Sequence, residues 1–141
     1  MSENFLLGLQ TVFQLKGILA IGAGVLWGII GGMIPGINAT IAMALLLPFT
    51  WGLDPAVAVM MLAGVYCGGE YGGSIPAVLI GTPGTNAAAA TVFDGYELHK
   101  QGKTGIGLYA SLLASVFGGL FSAIVLVFIA VPLASVALAF G

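Results

Sequence analysis

Residues 17–53 carry no charged side chain, and neither do residues 71–93 or 104–141. These runs are 37, 23 and 38 residues long. A membrane-spanning helix needs about 20 apolar residues, so each run is long enough for one crossing or two. Only 6% of the 141 residues are charged and 60% are hydrophobic, whereas a soluble domain carries roughly 25% charged residues. Mean hydropathy is +1.15. The solvent that suits this chain is lipid, and the fold class it predicts is an all-α integral membrane protein.

The remaining composition excludes more than it assigns. Arginine is absent and three lysines are spread over the chain, which argues against nucleic acid as a partner. The net charge of -2 is too small to specify any other. Cys67 has no second cysteine to pair with. One histidine and no nucleophile beside a base leave no enzyme signal and no metal-ligand spacing. The N-terminus has Glu3 early and no basic residue before Lys16, unlike a secretory signal.

Read along the chain, the pattern gives one membrane domain over 1–141 with about five hydrophobic segments. Residues 1–16 form a lead-in. Phe5, Leu6, Leu9, Val12 and Phe13 fall on one helical face, which suits a helix in the membrane interface or a plain entry to the first span. The first span is Gly17–Ile34. Its Ala20, Gly24, Gly28 and Gly32 make a small-residue stripe for close helix packing. A second stretch, Ile37–Leu53, contains Pro48, and Asp54-Pro55 marks a turn. A third runs Pro55–Gly69. The glycine-rich CGGEYGGS that follows predicts no regular helix. Its Glu70 is an acid near the membrane or an interfacial loop residue. A fourth stretch is Ser74–Val92, then a polar loop at 93–104 holds Asp94, Glu97, His99, Lys100 and Lys103. Gly107–Val131 is the fifth, with Ser111, Ser115, Gly119 and Ala123 as a second small stripe. Pro132 starts a further apolar segment that reads as the opening of something larger. Lys16 and the Lys100/Lys103 loop both favour the cytoplasm. Trp27 and Trp51 suit interfacial anchoring.

Two segments are broken alike. Pro35-Gly36-Ile37-Asn38-Ala39-Thr40 and Pro83-Gly84-Thr85-Asn86-Ala87-Ala88 share P-G-x-N-A-(small), 48 residues apart. Proline and glycine end the incoming helix, and Asn38, Asn86 or Thr85 can cap the outgoing one. The exposed N–H groups of a helix start attract anions. Secondary transporters aim broken helices at substrate carboxylates in this way. Against this stands an ordinary turn followed by a cap. The candidate substrate- or ion-binding residues are Pro35, Gly36, Asn38, Thr40, Ser74, Thr82, Pro83, Gly84, Thr85 and Asn86, with sodium placed near Thr82 and Asn86. Asp94 is a candidate for a loop or coupling role, or a solvated turn; His99 reads as solvated.

Tyr71–Leu108 and Gly28–Pro55 together resemble the TctA family, the large transmembrane subunit of tripartite tricarboxylate transporters. The matching positions are Pro35, Gly36, Ala39 and Thr40, then Tyr71, Gly72, Gly73, Ser74, Gly81, Pro83, Gly84, Asp94, Gly95, Gly102 and Lys103. The resemblance implies a multi-pass protein of the bacterial inner membrane, with re-entrant hairpins. It implies cation-coupled uptake of carboxylates such as citrate, driven by sodium or protons without another cofactor. It implies two partners, a small membrane subunit and a periplasmic binding protein. Family members are several times longer, so the alternative is a truncated or split protein that packs with other helices and transports nothing alone.

Overall fold

The computed structural model describes the backbone of residues 2–139, and side chains from residue 8 to 130 together with Leu133. The Phe5 and Leu6 part of the expected N-terminal apolar face lies outside the described side chains. Among the described residues there is no strand, as an all-α membrane protein requires. The order is α1 (Ser2–Phe13), α2 (Leu15–Gly32), α3 (Ala39–Leu46) running into a 3₁₀ turn (Leu47–Thr50), α4 (Pro55–Gly72), α5 (Ser74–Ile80), α6 (Ala89–Thr91), a π turn (Val92–Tyr96), α7 (Glu97–Lys100) and α8 (Thr104–Ala139). Among the described residues, two helices are long and apolar enough to cross a membrane, Leu15–Gly32 and the Thr104–Ala130 part of α8.

The inside of this molecule is made of small residues and the outside of large apolar ones. On α2 the buried positions are Gly17, Ala20, Gly24, Gly28 and Gly32, while Leu19, Leu26 and Ile30 are more than half exposed. Water would reverse that arrangement, because burial of large apolar side chains is what drives a soluble fold. In lipid that drive between helices is missing, and close backbone packing replaces it. Among the described residues, the largest side chains buried completely are only those of Val65 and Val78.

The stripe expected on α2 meets a second one on α4. Gly24 faces Met61 and Val65, Gly28 faces Val65 and Gly69, and Gly32 faces Gly69. In return Gly64 faces Ile21 and Val25, Gly68 faces Val25, and Gly72 faces Ile29. Contacts that advance together along both helices mean that α2 and α4 run parallel. An added Cβ would stand 2.7 Å from the Ile21 carbonyl oxygen at Gly64, and 2.6 Å from that of Ile29 at Gly72. α3 and its 3₁₀ turn are the return leg between them. The Trp27 indole donates Nε1–H to the Ala42 carbonyl at 3.0 Å and ties α2 to α3.

Four expectations change here. CGGEYGGS is not a break: α4 runs unbroken from Pro55 to Gly72. Its glycines are weak helix formers, but tight packing on α2 outweighs that cost. Pro132 opens no new segment, since α8 continues through it to Ala139. Residues 93–104 are mostly helical, built from the π turn, α7 and the start of α8. Half-buried His99 is not merely solvated: its Nδ1 lies 2.8 Å from Thr104 Oγ1 and its ring stacks on Tyr96.

Candidate functional site

The first break works as its sequence suggests. Gly36 takes a φ of 97°, in the region that favours glycine. Asn38 then caps α3, its side-chain oxygen accepting the Ile41 N–H at 2.9 Å. Pro35, Gly36 and Thr40 are exposed, and Asn38 is half-buried. Ala39, by contrast, is buried against Gly69 of α4, where an added Cβ would come within 2.8 Å of the alanine's own.

The second break is built differently. α5 ends at Gly81, whose φ is 68°. Residues 81–88 then double back with no regular helix. Gly84 and Thr85, which follow the end of α5, lie against Gly73 at its beginning. Gly84 N–H donates to the Gly73 carbonyl at 3.0 Å, and an added Cβ on Gly84 would meet the Gly73 Cα at 2.8 Å. The chain next turns forward again, so that Gly95 lies against Val78 and Tyr96 against Gly81. Neither Asn86 nor Thr85 caps a helix with its side chain: α6 starts three residues after Asn86 and has no side-chain cap. The capping expectation therefore holds for the first copy and fails for the second. Asn86 is exposed, and backbone bonds from Ala88 N–H to Thr85 and from Ala89 N–H to Asn86 make a turn there instead.

The hydroxyl of Thr85 is the unusual group. Thr85 is 4% exposed, and its Oγ1 is buried without a hydrogen-bond partner. Burying a hydroxyl unpaired costs roughly 1–3 kcal/mol, so buried polar groups are nearly always partnered. Close by in sequence to its neighbour Gly73, Ser74 is also buried, at the start of α5. Gly84 is buried, Pro83 half-buried and Thr82 exposed.

The two breaks meet the same pair of helix ends. Gly84 lies against the Gly32 carbonyl of α2, Ala39 against Gly69 of α4, and Gly32 against Gly69. Thr85 reaches Gly73 just beyond α4. Sequence reasoning overlooked the Gly64, Gly68 and Gly72 stripe that holds these ends together. Its i+4 spacing, the same as on α2, was the signal available.

Asp94 stands apart, exposed on the π turn. Among the described residues no group of three or more His, Cys, Asp and Glu side chains is placed to hold a metal ion. The ion pair there joins Lys100 and Glu97 on α7. The bond from Lys100 holds the Glu97 carboxyl below its ordinary range, and Glu97 raises the Lys100 ammonium above its own.

Compared with known proteins, residues 18–141 match the family model described as the tripartite tricarboxylate transporter TctA family. A protein of Agrobacterium vitis, described as an uncharacterized 52.8 kDa protein in the TAR-I ttuC' 3' region, is 41% identical over 139 residues. That alignment covers 99% of this chain and 28% of the relative, so the chain spans less than a third of its length. No solved structure matches.

Proposed function

The chain belongs to the TctA family of tripartite tricarboxylate transporters, and from that premise we propose that its two breaks form one wall of a carboxylate and coupling-cation site. The observation that carries this reading is the buried, unpartnered Thr85 hydroxyl, held in an irregular segment against helix ends. Irregular backbone at membrane depth is tolerated where it lines a binding cavity. In this reading Thr85, with Ser74 beside Gly73, supplies oxygen ligands that are completed when substrate or ion enters. Asn38, Thr40, Thr82 and Asn86 lie on the accessible sides of the same two breaks.

The protein works in the bacterial inner membrane as part of a multi-pass subunit. It acts with a small membrane subunit and a periplasmic binding protein, and takes up carboxylates such as citrate with sodium or protons. No covalent chemistry is part of this function. A second reading, a chain that packs with other helices and transports nothing alone, draws on the exposed apolar face of α8. From Leu112 to Leu126 its large side chains are mostly 40% exposed or more.

The test is uptake of labelled citrate by cells making the complete transporter with its partner subunits. Thr85→Val keeps the shape and removes the hydroxyl, and should lower uptake at unchanged membrane abundance, while Thr85→Ser should retain it. Equal uptake by Thr85→Val would remove Thr85 from the site.

A further inference from the structure

A crevice of about 200 Å³ separates the π turn from α8, and the two breaks make no use of it. Its polar side chains are Thr91, Asp94 and Ser111, and Gly95, Gly107 and Ala114 form the close walls. Glycine sets this geometry. An added Cβ on Gly95 would come within 2.8 Å of Val78 Cγ2, and one on Gly107 would stand 3.4 Å from the Gly95 carbonyl oxygen. The π turn is thus pressed between α5 and α8, which sets Asp94 alongside α8.

The position of the carboxylate is what makes it informative. Residues 107–114 lie roughly 5–15 Å along the helix from Thr104, at about 1.5 Å per residue. Asp94 therefore sits beside the second and third turns of a helix long and apolar enough to span a membrane. Asp94 is exposed at the mouth of the crevice, and an acid set against a spanning helix is by default a functional candidate. Of the nearby titratable groups, Lys103 is exposed and two others are engaged elsewhere. Lys100 pairs with Glu97, and His99 faces Thr104. Among the described residues Asp94 has no ion-pair partner. The π turn adds to this, because such turns loosen the regular helical ladder and recur at functional sites.

We propose that this crevice binds one monovalent hard cation of sodium's size. The Asp94 carboxylate is its charged ligand, and the Thr91 and Ser111 hydroxyls are neutral ones. Hard cations take oxygen ligands of these kinds. A single carboxylate balances a single positive charge, whereas a divalent ion would leave a net charge in a poorly polarisable setting. The volume leaves room for water to complete the shell, at about 30 Å³ per molecule. This site does not depend on the role given to Thr85.

The experiment is thermal unfolding of the 141-residue chain in lipid nanodiscs, followed by circular dichroism. Sodium chloride is titrated against choline chloride at matched ionic strength. Sodium should raise the unfolding temperature saturably, because a ligand that binds only the folded state stabilises it. Asp94→Asn should abolish the rise. Thr91→Val combined with Ser111→Ala should raise the half-saturating sodium concentration about tenfold, the effect of losing on the order of 1.4 kcal/mol of binding. The double variant also decides the matter if Asp94→Asn loses helix content. Superimposable sodium and choline curves would overturn the proposal. So would a full sodium response in Asp94→Asn, or a stabilisation that follows pH and ignores sodium.

Discussion

Gly73 and Thr85 are so close that a side chain on the glycine would displace the threonine: a Cβ there would stand 2.6 Å from Thr85 Oγ1 and 2.7 Å from its backbone nitrogen. The junction between α4 and α5 is thereby fitted to the second break. Gly73→Ala should push the break away from the helix ends and lower uptake by the complete transporter. Its effect on unfolding should be about 1–3 kcal/mol, as overpacking elsewhere costs. Unchanged uptake and stability would mean that the break can shift freely.

Thr85 itself should behave oppositely in stability and in function. Its hydroxyl is unpaired in the fold, so Thr85→Val should leave the unfolding free energy unchanged or raise it by up to about 1–3 kcal/mol. Denaturation of the chain in mild detergent measures this. A marked loss of stability would show that the hydroxyl is satisfied in the folded protein.

The glycines of α2 are not equivalent. Gly28 faces the backbone of Val65 and Gly69, while Gly22 has nothing near the position of a Cβ. Gly28→Ala should destabilise by about 1–3 kcal/mol or more through forced separation of α2 and α4. Gly22→Ala should be neutral or stabilise by up to about 1 kcal/mol, since alanine favours the helix. The paired unfolding curves test the parallel packing directly.

Asn38 caps α3 through one side-chain bond. Asn38→Ala should cost about 1 kcal/mol and Asn38→Asp much less, because aspartate caps equally well. Amide hydrogen exchange at Ile41 is the local readout, and it should quicken in the alanine variant.

The Glu97–Lys100 pair sets a pH window outside the hydrophobic segments. Glu97 is lowered by its bond to Lys100, so its contribution is present above its unfolded pKa and fades as pH falls through the folded one. Lys100 is raised, so its contribution is present below its unfolded pKa and is lost as pH rises through the folded one. Both side chains are about half exposed, and such pairs contribute little. NMR titration of the Glu97 carboxyl should therefore show a midpoint lowered in the native chain. Lys100→Ala should return it to the ordinary range, with almost no change in stability.

The sequence by itself determined the class of solvent, the helical character, the break at Pro35-Gly36, the cap at Asn38 and the small stripe on α2. All of these rest on local chemistry, namely the lack of charge, the restraint of proline, the reach of an asparagine side chain and an i+4 spacing. Only the tertiary structure decided the rest. It kept α4 helical through four glycines, because α2 lies close enough to use their lack of side chains. It turned the second P-G-x-N-A away from the role of the first, because Gly84 and Thr85 are drawn back onto Gly73 before a helix can start. It set Asp94 against α8 through Gly95 and Gly107. Each of these depends on how near two backbones come, and that distance belongs to pairs of residues far apart in the chain.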